Sequence, residues 1–224
     1  GKSINRNALI ALIAAVILRE HPESTIVTDS VTSDGLAKFI ADRNGKHHRF
    51  RRGYKNVINE SLRLNENGEE SWLAIETSGH AALRENYFLD DGAYLVAKLI
   101  IEAACLRKEG KELQDLIADL QQPVESKEIR FKIDTDDFKT YGEQVLEHTK
   151  AAAEKEHDWQ LVAPNYEGVR IACTDEKEQG WFLLRQSLHD PVLPLNIESN
   201  VEGGVSRITD RVLALLSDFK ALKQ

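Results

Sequence analysis

Cysteine is scarce, long apolar runs are absent and positive charge is in deficit, and each shortage closes a class of explanation. The two cysteines, Cys105 and Cys173, lie far apart in apolar stretches. They read as packed thiols of a reducing compartment, hence a cytoplasmic protein, rather than as a disulfide, and no Cys/His spacing fits zinc. No apolar run approaches the ~20 residues of a membrane-spanning helix. The nearest, residues 8–18, is bracketed by Arg6 and Arg19. It lacks a following small-residue cleavage site and reads as a buried helix. With 29 Lys and Arg against 37 Asp and Glu the formal net charge is −8, which argues against general nucleic-acid binding. No internal repeat or low-complexity segment is found.

What remains is ordinary globular composition, 42% hydrophobic and 29% charged over 224 residues, enough for one large domain or two modest ones. Strands at 25–28, 46–51 and 71–75 alternate with helices at 6–19, 34–43, 55–65 and 92–108. That spacing predicts βαβ units and a mostly parallel sheet, so residues 1–108 are expected to form a three-layer α/β domain. Residues 109–124 hold Gly110, a polar helix over 112–122 and Pro123, and read as a linker or hinge. In 125–224, a strand at 129–133, a helix over 138–157, strands at 169–173, 181–185 and 192–198, and a final helix over 207–222 predict an α+β domain with an antiparallel sheet.

Two stretches carry chemistry. Glu76-Thr77-Ser78-Gly79-His80 follows the strand 71–75, and ligands of open α/β sheets bind outside the carboxyl ends of strands. Glu76 can accept from two neighbouring hydroxyls, Ser78 can donate and accept, His80 can do either, and Gly79 lets the backbone approach closely. Residue types alone favour a polar turn. The second stretch, Arg185 to Pro191, ends a buried strand in a cation, the hydroxyl of Ser187 and the imidazole of His189. Arg matches phosphate oxygens, and loop amides can complete an anion nest. A hairpin loop with a surface Arg is the plainer reading. Ahead of both, Lys46, Arg49, Arg51, Arg52 and Lys55 form a basic island suited to a compact anion.

Glu-x-Ser-Gly-His, followed by Asp90-Asp91-Gly92 opening a long helix, resembles the sugar-binding loop of the α-D-phosphohexomutases, the phosphoglucomutase/phosphomannomutase family. Arg185-x-Ser187-x-x-Asp190-Pro191 resembles that family's phosphate-binding loop, usually Arg-Pro-Ser-Gly-Thr-Glu-Pro, with Gln186, Leu188 and His189 as departures. Gly53-Tyr54-Lys55 resembles the Gly-x-Lys loop that brings a lysine to the phosphosugar. On its own Lys55 reads as a first-turn surface lysine. The resemblance implies a carboxyl-terminal half: residues 1–108 as the third domain and about 120 onward as the fourth. It implies sugar binding by Glu76, Ser78, Gly79, His80 and Lys55, and phosphate binding by Arg185, Ser187 and His189.

The family's phosphoserine nucleophile and its Asp-x-Asp-x-Asp-Arg magnesium loop do not occur here, and the chain reads as truncated ahead of Gly1. Asp134-Thr135-Asp136-Asp137 lacks the Arg and reads as a helix cap. No catalytic or metal residue is therefore expected in this chain, which alone should be inactive and bind no cofactor. Mg2+ and hexose 1,6-bisphosphate would serve the complete enzyme. The expected partners are a phosphosugar and the missing N-terminal domains, with no nucleic acid and no membrane. The rival readings are a non-catalytic phosphosugar-binding or regulatory protein, a nucleic-acid module using the basic island, and an interaction protein whose loops merely look alike.

Overall fold

The first helix, α1 (Arg6–Glu20), is apolar on every side, and the first unit is built around it. Ten of its residues, Ala8 and Ile10 to Leu18, are buried, which a helix without a polar face requires. Asn5 caps it by accepting from Ala8 N at 2.8 Å. The computed structural model describes residues 4–187 and 190–223. They divide at Gln121/Gln122 into two compact units.

In the first unit β1 (Thr25–Asp29), α2 (Asp34–Ala41), β2 (Lys46–Phe50), α3 (Tyr54–Glu66), β3 (Ser71–Ile75), β4 (Ala81–Leu83) and α4 (Gly92–Lys108) follow α1. The sheet order is β2-β1-β3-β4, parallel except for β4, which pairs antiparallel with β3. Alternation along the strands separates two cores. Ile26, Leu73 and Ile75 pack with α1 and α2, while Val27 and Ala74 pack with Val57 and Leu64 of α3. The result is a three-layer α/β unit.

One strand of this unit was not foreseen, and one expectation meets a different outcome. The strand β4 has three residues, Ala-Ala-Leu, too short and too uniform to show a period. Residues 112–122 form only one 3-10 turn, Leu113–Ile117. Leu116, Ile117 and Leu120 join the α1 core, and Arg43 holds Asp119 at 2.8 Å. The segment 109–124 is thus divided by the unit boundary, with 109–121 packed into the first unit rather than spanning as a linker.

The second unit contains β5 (Glu125–Ile133), α5 (Phe138–Ala153), β6 (Trp159–Leu161), β7 (Val169–Cys173), β8 (Gly180–Leu184), β9 (Val192–Ser199), α6 (Gly204–Leu215) and β10 (Leu222–Lys223). Its sheet runs β10-β5-β9-β8-β7-β6, antiparallel throughout. Ile129, Phe131 and Ile133 of β5 point into the core with Val145 of α5 and Ile208 and Val212 of α6. The final helix stops at Leu215, short of the expected 222, because the chain turns back to pair Leu222 with Ile133. Cys173 is buried as expected, whereas Cys105 is exposed on α4, on the side of the helix away from the buried Leu95, Glu102 and Leu106.

A charged lock closes this unit. Arg211 of α6 donates to Asp158 at 2.8 Å and Glu178 at 3.0 Å, reaches Glu156 at 2.9 Å, and lies 4.3 Å over the Trp159 ring. Its hydrogen bonds hold the Asp158 carboxyl below the usual carboxylate range, against the opposing effect of burial. Removing one member of a buried pair strands the other charge, at about 3–5 kcal/mol. Arg211→Met should therefore lower the second unit's stability by about 3 kcal/mol in urea melts at pH 7. Because Asp158 is depressed in the fold, its contribution is present above the unfolded carboxyl pKa of about 4 and disappears as pH falls through the native value. Melts repeated below pH 4 should show the gap between wild type and variant narrowing.

Candidate functional site

The Glu76–His80 stretch is the tight connection between β3 and β4. Glu76 N donates to His80 O at 2.9 Å and Gly79 N to Glu76 O at 3.0 Å. Gly79 sits at φ 100°, where a side chain would be strained.

Beneath this turn lies Asp29, the last residue of β1 and wholly buried. It accepts from Thr77 N at 3.2 Å and from Thr77 Oγ1 at 2.6 Å, with Arg52 Nε 3.3 Å away. Burial pushes its carboxyl up, partly offset by Thr77 and Arg52. Glu76, 5% exposed, looks sideways. Its Oε1 accepts from Gly53 N at 2.6 Å, and its Oε2 accepts from Ser78 Oγ at 3.1 Å. The carboxylate thereby ties the Gly53-Tyr54-Lys55 loop to the Ser78 turn.

The groups that face outward are Ser78, His80, Tyr54 and Lys55, all exposed. His80 Nδ1 lies 2.7 Å from Asp90 Oδ2, and Asp90 also accepts from Ala81 N at 3.2 Å. A carboxylate only accepts, so Nδ1 carries the proton and Nε2 is presented to solvent. Tyr54 stacks on His80 at 5.1 Å, and Lys55 Nζ lies 5.9 Å from the Tyr54 ring. Asp91 caps α4 through Ala93 N and Tyr94 N, both at 3.0 Å. Arg84 lies over Trp72 at 4.7 Å and near Glu70 at 3.7 Å.

In the second unit the β8–β9 loop carries the other stretch. Arg185 is 8% exposed, and its Nη1 stands 3.9 Å from Glu167 Oε1. Gly168 packs against it so closely that an added Cβ would meet Leu184 O at 2.2 Å and Arg185 Cα at 2.8 Å. Gln186 reaches back to Phe138 O and Lys139 O, both at 3.3 Å. Ser187 N donates to Val192 O at 3.0 Å, and Ser187 Oγ accepts from Asp190 N at 3.3 Å. His189 lies outside the described residues.

Sequence reasoning missed Asp29 and Glu167 and gave Tyr54, within the Gly53-Tyr54-Lys55 loop, no role. Asp29 is separated by more than forty residues from the loop it supports, and only the parallel pairing of β1 with β3 brings them together. Among the described residues no three His, Cys, Asp or Glu side chains gather as a metal site, and no helix is long and apolar enough to cross a membrane. Asp137 is occupied in capping α5, accepting from Thr140 N at 3.2 Å.

A mostly parallel-sheet unit of the α/β/α class, with an exposed hydroxyl, imidazole and lysine at its strand ends, precedes a unit with an antiparallel sheet and a buried arginine at the end of β8. Residues 5–124 match the family described as phosphoglucomutase/phosphomannomutase, alpha/beta/alpha domain III, and the chain belongs to the phosphoglucomutase/phosphomannomutase family. It is 28% identical over 210 residues to a phosphomannomutase/phosphoglucomutase of Pseudomonas syringae pv. tomato, covering 93% of this chain and 41% of that protein. A Burkholderia thailandensis structure of the same family shares the fold at TM-score 0.76 and 24% identity, covering 98% of this chain and 43% of that one. An Aspergillus fumigatus N-acetylphosphoglucosamine mutase, solved with GlcNAc-6P and magnesium, shares the fold at TM-score 0.57 and 11% identity, covering 94% of this chain and 46% of that one. The chain thus spans about two fifths of the length of the relatives it matches.

The Glu76–Gly53 tie gives a direct test. Glu76→Ala leaves a partly buried N–H without its acceptor, at about 1–3 kcal/mol. Amide exchange at Gly53 should accelerate by roughly 10- to 100-fold, while α1 amides keep their protection.

Proposed function

We propose that this chain is the sugar- and phosphate-binding carboxyl-terminal part of a phosphohexomutase. The reaction is transfer of a phosphoryl group between positions 1 and 6 of a hexose by way of a bisphosphate. The nucleophile belongs to the domains that precede this part, and glucose and mannose phosphates are the substrate class.

The observation that carries the assignment is the Glu76 carboxylate joined to Gly53 N at 2.6 Å. It binds two loops, each resembling a sugar-contacting loop of the family, into one exposed array. Within that array Ser78 donates to or accepts from a ring hydroxyl, and His80 presents Nε2 while Asp90 holds Nδ1. Lys55 attracts the anion. Glu76 has both oxygens engaged by the protein, so its first role is to fix the array. Each of its oxygens keeps a second lone pair with which to accept from a ligand hydroxyl.

Arg185, Ser187 and His189 take the phosphate that is not reacting. Anchoring that end orients the other against the nucleophile and supplies entropy in advance of the chemical step. Glu167 at 3.9 Å from Arg185 holds the guanidinium when phosphate is absent. Magnesium and hexose 1,6-bisphosphate, on this reading, serve the longer protein. Among the described residues no three His, Cys, Asp or Glu side chains gather to hold the ion.

Titration of the chain with glucose 1-phosphate, glucose 6-phosphate and inorganic phosphate, followed by NMR shifts, tests this. Saturable binding of the sugar phosphates, weakened by about tenfold or more in Arg185→Ala and in Lys55→Ala, is expected from loss of one charged hydrogen bond. Equal binding by wild type and both variants would overturn the residue assignments. Absence of mutase turnover in the full-length gene product would favour the non-catalytic phosphosugar-binding alternative.

A further inference from the structure

The helix α4 buries Leu95, Glu102 and Leu106 on its inner side, with Leu99 against the α1 core. Its outer side is also apolar. Ala93, Val96, Ala97, Ile100, Ile101, Ala104 and Cys105 are all exposed and recur at three- and four-residue steps, which places them on one face. Val96 is 55% exposed, and Ile100 and Ile101 are each 64% exposed. No charged residue interrupts this face before Arg107 and Lys108 at its end. The loop that feeds the helix adds Tyr87 at 87% and Leu89 at 57% exposure.

Single exposed apolar residues are normal on protein surfaces, but a contiguous apolar face marks an interaction site. An apolar face on the side of a helix opposite its packed side is one that a further partner covers. The structure supplies one side only.

We propose that the outer face of α4 is the docking surface for a preceding domain of the same, longer chain, which covers it with an apolar face of its own. This rests on the reading of the chain as the carboxyl-terminal part of a mutase. Two considerations select this occupant over a free partner. First, the Pseudomonas syringae relative matches over only 41% of its length, so most of a family member's chain lies outside the region described here. Second, the stripe is small. Twelve residue steps at 1.5 Å give a face about 18 Å long and roughly one helix wide. That is well short of the ~800 Å² per partner that stable free complexes bury. A tethered domain needs no such area, because its effective concentration is already high.

Cys105 makes the face measurable. It is exposed on the stripe, whereas Cys173 is 3% exposed and burial pushes its thiol far up. Alkylation by iodoacetamide therefore reads Cys105. In the 224-residue chain Cys105 should react as a free exposed thiol, and sedimentation should show a monomer, unchanged by Ile100→Asp. In the full-length gene product the same thiol should react about tenfold more slowly or less, since reaction waits on opening of the contact, and Ile100→Asp should restore the fast rate.

Protection of Cys105 already in the 224-residue chain would overturn the proposal. If that chain were also a dimer dispersed by Ile100→Asp, a second copy would be the occupant. Equal reactivity in both proteins, with mutase turnover intact in the longer one, would overturn the docking surface and leave the functional reading standing. A gene product with no preceding domain would overturn both.

Discussion

A carboxylate with no access to water sits at the carboxyl end of the central strand of the parallel sheet. Asp29 is wholly buried, and an unpaired charge there would cost roughly several kcal/mol. The fold tolerates it because Thr77 donates twice and Arg52 stands 3.3 Å away. These same partners fix the geometry around it. Thr77 is the second residue of the exposed turn, so Asp29 sets the height of that turn above the sheet. Arg52 immediately precedes Gly53, so the same carboxylate steadies the neighbouring loop. Glu76 then links the two loops directly through Gly53 N. The outward groups are thus held by a layer of hydrogen bonds beneath them, the arrangement that keeps a binding array in place before its ligand arrives.

The second unit reaches a comparable end by packing. Arg185 leaves β8 where Gly168 presses on its backbone, and no residue with a Cβ fits at that contact. Gln186, where the family's usual loop has Pro, anchors the loop to the first turn of α5 through Phe138 O and Lys139 O. A ring fixes φ by covalent geometry, whereas Gln186 achieves restraint through two hydrogen bonds and contact with Gly142. Ser187 spends its hydroxyl accepting from Asp190 N, which shapes the loop and leaves its O–H free to turn.

Most regular elements were legible because their signals are local. The strand 71–75 and the helix 92–108 depend on residues within a few positions of each other. Elements whose existence depends on distant partners were not legible. The strand β4 exists because β3 offers an edge, and Trp159–Leu161 is a strand because β7 pairs with it. The polar stretch after Gly110 has helix-forming residues, yet three of its apolar side chains, at 116, 117 and 120, are drawn onto α1 and leave one 3-10 turn. Tertiary burial outweighs propensities of a few tenths of a kcal/mol per residue.

Charge was the least transferable signal, and the basic island shows why. In sequence, residues 46–55 offer five cations in a run. In the fold Arg49 bonds Asp34 at 2.7 Å and Arg52 faces Asp29, so at least two of the five are neutralised by acids on other elements. His48 meets Glu60 at 2.9 Å in the same way. An ion pair spends most of a cation's field on its partner, and water and salt screen the remainder within about 10 Å. The attraction left for an anion comes from cations that the fold keeps exposed beside the site, and Lys55, next to Tyr54 and His80, is one of these. A charge run therefore counts toward a binding site only after subtraction of the acids that the topology folds onto it. Those acids come from strand ends and helix starts that no local window contains.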